Sequence, residues 1–339
     1  MLMETIAEDL QTFLTEWHNP SPFLKVQTSG STGTPKQITV RKEQMVNSAR
    51  LTCDYLGLQQ RDKALLCMPL QYIAGKMMVV RSLVAGLDLI VREPSGHPMA
   101  EIDTPLRFAA MIPLQVYNTL QIPTEREQLC QTDILIIGGG SIDKELEEQI
   151  QMLPNQVYST YGMTETLSHI ALRRLNGPEA SPYYTPFPTV KLSLSPDHTL
   201  VIDAPQVTND ILITNDVAEL LPDGRFRILG RKDNIINSGG IKVQIESVEA
   251  ALRPKLSANF AITAIPDPKF GEVIVLLVTD NNLIQVQKQI EVLPKYQRPK
   301  HLFSVDSIPL TGTGKIDRAA CKRLAIHAFE SNSQYKTKI

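Results

Sequence analysis

Four apolar residues in a row, Ile134-Leu135-Ile136-Ile137, run straight into Gly138-Gly139-Gly140. A short, wholly apolar run that ends in glycines reads as a buried strand, and Ser141 then reads as the N-cap of a helix over 144–152. The pattern recurs along the first half of the chain. Residues 3–17 carry Ile6, Leu10, Phe13, Leu14 and Trp17 at helical spacing, with Asn19-Pro20 ending the helix. Ala64–Met68 and Leu87–Val91 read as buried strands, with a helix over 72–84 between them. Val157–Ser159 is a further short strand that ends in a loop. Strands alternating with helices specify a largely parallel α/β sheet.

The pattern then changes twice. Residues 187–229 break into short β-rich pieces, Val190–Leu194, Leu200–Ile202, Ile211–Thr214 and Phe226–Leu229, with turns at Ser195-Pro196-Asp197 and Pro222-Asp223-Gly224. This is an antiparallel β region. After a boundary near 230–234 comes a small α+β unit: helices over 244–252 and 283–291, a strand pair at 258–264 and 272–279, and a C-terminal helix over 318–329. Residues 331–339 are polar and read as a disordered tail. The expected layout is a large domain over 1–230 and a small one over 231–330. That agrees with a length of 339 residues at about 150 per domain.

Charge and composition exclude several classes. The chain has 34 Lys+Arg against 36 Asp+Glu, a net charge of -2, which argues against a nucleic-acid binder. The balance is uneven, with 16 basic and 10 acidic residues over 231–339 and 18 and 26 over 1–230. The sharper of two readings is a basic small domain that approaches a polyanion; the other is two solvated surfaces of opposite sign. The longest apolar runs fall far short of the about 20 residues of a membrane helix. The acidic N-terminus lacks the basic flank of a signal peptide. Cys53, Cys67, Cys130 and Cys321 are widely spaced, as suits buried reduced thiols rather than a zinc site or disulfides. A soluble cytoplasmic protein is expected, with a homodimer left open.

Four motifs carry chemistry. Thr28-Ser29-Gly30-Ser31-Thr32-Gly33-Thr34-Pro35-Lys36 combines hydroxyls, glycines and a lysine. Glycines let backbone N–H groups converge on an anion, and hydroxyls and a lysine add donors and charge. The spacing is not that of a Walker A loop. A plain linker would need neither Pro35-Lys36 nor the strand-forming Ile38 and Val40 that follow. The second motif is Tyr158-Ser159-Thr160-Tyr161-Gly162-Met163-Thr164-Glu165-Thr166. Here Glu165 reads either as a solvated acid or, beside a triphosphate, as an oxygen ligand for Mg²⁺, and Tyr161 offers a ring face to a base. The third spans Gly230 to Lys242 and contains Gly-Arg-Lys-Asp and Ser238-Gly239-Gly240. The fourth is Pro309-Leu310-Thr311-Gly312-Thr313-Gly314-Lys315-Ile316-Asp317-Arg318, which in isolation is only a glycine-rich turn.

Taken in order, the four motifs resemble the acyl-adenylate-forming (AMP-binding) superfamily over about residues 24–320. Within it, the chain is most similar to o-succinylbenzoate–CoA ligases of menaquinone biosynthesis, in a short form. The resemblance implies an adenylate-forming fold, abbreviated at the N-terminus. It also implies a two-step reaction in which a carboxylate attacks the α-phosphate of ATP and a thiol, that of coenzyme A, then displaces AMP. By that pattern Thr28, Ser29, Gly30, Ser31, Thr32, Gly33 and Lys36 belong to the phosphate loop. Thr164 contacts phosphate, and Glu165 holds Mg²⁺. Gly138, Gly139, Gly140, Tyr161 and Gly162 frame the adenine. Asp216, in a turn where Asn215 replaces the family's Gly, and Arg231 contact the ribose. Lys315 bridges carboxylate and α-phosphate, Asp233 is the hinge of a mobile lid, and Ser238, Gly239, Gly240 and Lys242 line the thiol tunnel.

The chain departs from the pattern in two ways. Only 27 residues precede the phosphate loop, where larger relatives carry well over a hundred, so a compact version or a wall lent by a partner copy is expected. Tyr72 stands where relatives have a histidine that gates the acyl pocket; it is either a gate or a core-edge tyrosine. An acid with a second carboxylate also needs a cation, because an unpaired buried charge is costly. Lys76 and Arg81 follow the gate, on different faces of one helix, so that at most one points inward. His169 and Arg173 share a face if their segment is helical. Each of the four has a structural alternative, as do Met77, Met78 and Met163 as the floor of an aryl pocket. Two other functions remain open: ligation of another aryl or acyl acid to CoA or a carrier protein, and a non-catalytic ATP-binding scaffold.

Overall fold

The computed structural model describes residues 5–27, 37–140, 142–311 and 316–336. By their contacts the residues fall into two compact units. One is Met1–Ser193 with Val201–Leu212 and Leu220–Arg227; the other is Leu194–Leu200 with Ile213–Glu219 and Ile228–Ile339.

The first unit opens with helix α1 (Ile6–His18), started by a Thr5–Glu8 capping box and ended at Asn19. Strands β1 (Phe23–Gln27) and β2 (Gln37–Arg41) pair antiparallel, and α2 (Lys42–Leu56) follows. The main sheet is then built from β3 (Lys63–Leu66), α3 (Ile73–Ala85), β4 (Asp88–Val91) and β5 (Leu106–Met111). It continues through α4 (Pro113–Gln121), α5 (Pro123–Cys130), β6 (Thr132–Ile137), α6 (Lys144–Gln151) and β7 (Gln156–Gly162). Strands β8 (His169–Arg174) and β9 (Thr185–Pro186) complete it, in the order β4-β3-β5-β6-β7-β8-β9. Strands β3 to β7 are parallel, and β8 and β9 antiparallel.

From β3 the chain moves one way along the sheet to β4; from β5 it moves the other way to β6 and β7. Right-handed crossovers therefore put α3 and the segment α4–α6 on opposite faces. Helix α2 packs on α3. The reversal lies between β3 and β5, and ligands of open α/β sheets bind beyond the carboxyl ends of strands at such a point.

Several local expectations need correction. Asp143, not Ser141, caps α6: its carboxylate accepts the N–H of Leu146 at 2.9 Å. Strand β7 runs through Tyr161 to Gly162 rather than ending at Ser159, because pairing with β8 carries it on. Cys130 is half-buried, whereas the other three thiols are buried.

A four-stranded sheet, β10 (Lys191–Leu194), β11 (Thr199–Asp203), β12 (Leu212–Leu220) and β13 (Phe226–Arg231), supplies residues to both units in that strand order. Asn215 and Asp216 lie inside β12 and not in a turn, so asparagine needs no special backbone freedom there.

The second unit adds the hairpin β14 (Ile235–Ser238) and β15 (Ile241–Gln244), α7 (Ile245–Leu252), β16 (Phe260–Asp267) and β17 (Gly271–Val278). Helix α8 (Leu283–Gln289), β18 (His301–Ser304) and α9 (Arg318–Lys336) follow. Alternate residues of β16 and β17 enter two separate cores, Ile262, Ile274 and Leu276 in one and Ala261, Val275 and Leu277 in the other. Both faces being covered explains the continuous apolar run at 273–278. Helix α9 continues through residues 331–336, which the sequence assigns to a tail; no Gly or Pro there interrupts a helix already begun.

Strand β16 lies at a sheet edge. A charged pair covers its backbone: Ile262 N–H donates to Glu249 Oε1 at 2.9 Å, and Arg318 Nη1 donates to the Ile262 carbonyl at 3.2 Å. Arg318 and Glu249 meet bidentately at 2.6 and 2.7 Å. Breaking a buried pair leaves one charge uncompensated. Arg318→Met is expected to cost about 3 kcal/mol in chemical denaturation, the low end for such pairs because Arg318 is partly exposed. Among the described residues, no helix is long and apolar enough to cross a membrane.

Candidate active site

The carboxyl ends of β6 and β7 lie side by side, with Ile137 paired to Ser159. Beyond them Gly138 faces Thr160. A Cβ on Gly138 would stand 2.5 Å from Thr160 Oγ1, so glycine is required for the strands to stay close. Gly139 has φ +80 and turns the backbone away. Tyr161, on β7, packs edge-on against Phe226 at 5.1 Å, and Phe226 stacks on Tyr184 at 5.5 Å. This aromatic wall fixes the orientation of the Tyr161 ring. Its other members, Tyr184 and Phe226, carry no sequence signal of their own.

After Gly162 the chain makes a 3₁₀ turn at Thr164–Thr166 and folds back on itself. Thr166 Oγ1 accepts from Met163 N–H at 3.0 Å and donates to the Ser168 carbonyl at 2.8 Å. A Cβ on Gly162 would meet that carbonyl at 2.2 Å. Leu167 is buried with φ +65, a costly conformation for a leucine, held by its surroundings. Thr164 is half-buried and Glu165 exposed. Among the described residues no group of three or more His, Cys, Asp or Glu side chains converges. The oxygen donors present, the Glu165 carboxylate and the Thr164 hydroxyl, therefore fit a Mg²⁺ ion that shares substrate phosphates rather than one caged by protein.

Between β7 and β8 the register shifts, with Tyr161 opposite Ala171 but Gly162 opposite His169. The extra residue of this bulge reverses the side-chain alternation. The segment is thus a strand, not a helix, and His169 and Arg173 point to opposite faces. Arg173 goes toward α6, where it pairs with Glu147 at 2.7 Å and lies over the Tyr184 ring. Its charge has a structural use. His169 goes toward α2, with Nε2 3.1 Å from Thr52 Oγ1.

Helix α3 is buried all round from Gly75 to Arg81. Gly75 seats its first turn on the Pro69 carbonyl, which a Cβ would approach to 2.4 Å. Tyr72 precedes the helix, half-buried, and bridges to Gln27. Lys76 and Arg81 lie on different faces, and both are buried, because α1 covers the far side of α3. Lys76 lies over the Phe13 ring and 4.0 Å from Glu16. Burial lowers its pKa, opposed in part by Glu16 and Asp9. Met77 and Met78 are core residues, while Met163 is half-buried.

Arg81 is 2% exposed. Its Nη2 donates to Ser168 Oγ at 2.5 Å and its Nη1 to Met78 Sδ at 3.6 Å; its Nε has no partner, and no carboxylate pairs with it among the described residues. Burial lowers its pKa to about 10. His169 is held well below its usual pKa, first by burial and second by Arg81. Sequence reasoning singles out Arg81 and His169 but misses Ser168 and Thr52, which join them.

In the second unit, Arg231 makes two 2.8 Å bonds to Asp233 and one of 3.1 Å to Asp216. Burial disfavours the charged form of Asp233, yet its bonds to Arg231 hold its pKa below the usual value. Ser238 and Lys242 lie on the two strands of a tight hairpin. Gly239 and Gly240 have φ +59 and +83, the paired positive values that two-residue hairpins favour. The phosphate-loop residues 28–36, with Thr28, Ser29, Gly30, Ser31, Thr32, Gly33 and Lys36, and also Ser141 and Lys315, lie outside the described residues.

A family model for AMP-binding enzymes matches residues 16–215. The chain belongs to the AMP-binding enzyme family. It is similar to a probable 2-succinylbenzoate–CoA ligase of Mycobacterium tuberculosis, 28% identical over 88% of this chain and 84% of that one. Among solved structures it matches the acyl-CoA synthetase (AMP-forming)/AMP-acid ligase II-like protein of Dyadobacter fermentans, with 33% identity, 96% and 93% coverage and a TM-score of 0.64. It shares its fold with the o-succinylbenzoate CoA synthetase MenE of Bacillus subtilis. That enzyme is known in complex with the acyl-adenylate OSB-AMP, at 21% identity, 88% and 68% coverage and a TM-score of 0.74. It is also known with ATP and a magnesium ion, at a TM-score of 0.70. As an AMP-binding enzyme, the chain places its glycine turn at the carboxyl end of β6, and Tyr161 and Glu165 at and after that of β7, to one side of the reversal between β3 and β5.

Proposed function

We propose that this AMP-binding enzyme is an ATP-dependent acid–CoA ligase acting on o-succinylbenzoate, in menaquinone biosynthesis. One observation carries the choice of acid: Arg81, a buried guanidinium with no carboxylate partner among the described residues, hydrogen-bonded to Ser168 just beyond the Glu165 turn. An unpaired buried cation is costly and calls for an anion. o-Succinylbenzoate keeps one carboxylate, on its ring, after the other is activated, and that group suits Arg81. The relatives named for this substrate support the same reading.

In the first step a carboxylate oxygen forms a bond to the α-phosphorus of ATP and pyrophosphate leaves. In the second the sulfur of CoA, having lost its proton, forms the thioester and AMP leaves. Both steps gather negative charge that fixed donors must offset. Thr28–Thr32 and Lys36 hold the β- and γ-phosphates, and Lys315 bridges carboxylate and α-phosphate. Gly138–Gly140, Tyr161 and Gly162 frame the adenine, and Asp216 and Arg231 hold the ribose. Thr164 contacts phosphate, and Glu165 would hold Mg²⁺, which when bound neutralises phosphate charge. Residues 1–230 form the body and 231–330 a lid hinged at Asp233, with Ser238, Gly239, Gly240 and Lys242 lining the thiol tunnel. Tyr72 borders the acyl pocket.

The test is CoA-dependent pyrophosphate release across a panel of acids. o-Succinylbenzoate is expected to give the highest kcat/KM. Failure of that acid while another aryl or acyl acid works would sink the assignment.

A further inference from the structure

Arg81 is tied to α2 by a chain of hydrogen bonds through Ser168, His169 and Thr52. Thr52 Oγ1 donates to the Ser48 carbonyl at 3.2 Å. A hydroxyl has a single proton; with that proton on the Ser48 carbonyl, Thr52 accepts from His169 Nε2, 3.1 Å away. Nε2 therefore carries the imidazole proton. The ring is neutral, being buried beside a guanidinium, so Nδ1 is an acceptor. Ser168 Oγ, 3.3 Å from Nδ1, donates to it. The serine lone pairs then face Arg81 Nη2, whose bond to Ser168 is 2.5 Å long. In this arrangement every proton between the Ser48 carbonyl and Arg81 has an acceptor.

We propose that Thr52 and His169 are positioning residues: through Ser168 they hold the Arg81 guanidinium in the orientation that receives the second carboxylate of the acid. The inference rests on the reading of the substrate given above. The Thr52 hydroxyl selects the His169 tautomer, which makes Ser168 a donor on one side and an acceptor on the other. Without that hydroxyl, Nε2–H is a buried donor with no acceptor, a costly state. The ring escapes by moving its proton to Nδ1. Ser168 then faces donors on both sides, its own proton loses its acceptor, and the guanidinium loses its fixed stop.

Thr52→Val, nearly isosteric, tests this. KM for o-succinylbenzoate is expected to rise about tenfold, the effect of one unsatisfied buried donor, with kcat changed less than about twofold. The competitive inhibition constant of 4-oxo-4-phenylbutanoate, the same skeleton without the ring carboxylate, should not move. Thr52→Ser should restore the wild-type KM. His169→Leu removes the Ser168 acceptor directly and should give the same selective rise even if valine at position 52 harms folding. A merely structural role would move both acids together. Equal changes for the two acids, no change for either, or a serine variant as impaired as the valine one would overturn the inference while wild-type turnover of o-succinylbenzoate leaves the substrate reading intact. A wild-type protein that does not turn over o-succinylbenzoate overturns both.

Discussion

Replacing Lys315 with alanine is expected to slow acyl-adenylate formation by about 10³-fold, the upper end for loss of one preorganised donor to developing charge. Transfer of the acyl group from supplied acyl-AMP to CoA should stay within about threefold of wild type. The asymmetry follows from where charge develops. In adenylation, negative charge accumulates on the α-phosphate as the carboxylate approaches, and Lys315 in the role proposed for it would offset that repulsion. In thioester formation the charge develops on the carbonyl oxygen and on departing AMP, where Lys315 has no assigned part. The chain around this residue is anchored on both sides: Leu310 bridges Ile316, and Asp317 N–H donates to the Pro309 carbonyl at 2.9 Å. Just beyond, the Arg318–Glu249 pair fastens α9 to α7. Pyrophosphate release with and without CoA, compared with thioester yield from acyl-AMP, separates the half-reactions. Equal loss of both would remove the division of labour between Lys315 and the Ser238–Lys242 hairpin.

What the sequence makes legible follows the range of the physics involved. The parallel sheet is readable because runs such as Ile134–Ile137 and Ala64–Leu66 are wholly apolar and end in turns or glycines, a signal carried within a few residues. The helix over Ile73–Ala85 is readable for the same reason, but its environment is not. Both of its cations are buried, because a much earlier helix covers one side and Ser168, 87 residues later and just before β8, receives the other. The bulge opposite Gly162 is likewise invisible. Nothing local to His169 and Arg173 shows that one extra residue in the pairing sends them to opposite faces. Thr52 illustrates the limit: its hydroxyl has meaning only beside His169, 117 positions away. Motif residues such as Gly138, Tyr161 and Glu165 stand out because their chemistry is concentrated in a few adjacent positions. The partners that fix their geometry, such as Tyr184, Phe226 and Ser168, are ordinary residues made specific only by packing.

Arg81→Met is expected to separate function from stability. Removing one partner of a buried hydrogen-bonded charge pair costs about 3–4 kcal/mol, so kcat/KM for o-succinylbenzoate should fall roughly 10²- to 10³-fold. Binding of an acid without the ring carboxylate should be unchanged or tighter. The stability effect has the opposite sign. Without substrate, the guanidinium has among the described residues given up its hydration for one serine hydroxyl and a weak contact with Met78 sulfur, and its Nε makes no hydrogen bond there. Replacing such a charge with an apolar side chain of similar volume is neutral or stabilising by about 1–3 kcal/mol. The thermal midpoint of the variant should therefore equal or exceed that of wild type, measured without substrate. A guanidinium serving only to hold the fold predicts the reverse: a lower midpoint with the preference between the two acids unchanged. A cation kept buried at a cost to the empty protein is explained by what it binds. The two measurements together, a higher midpoint and a lost preference for the diacid, would assign that cost to recognition of the second carboxylate.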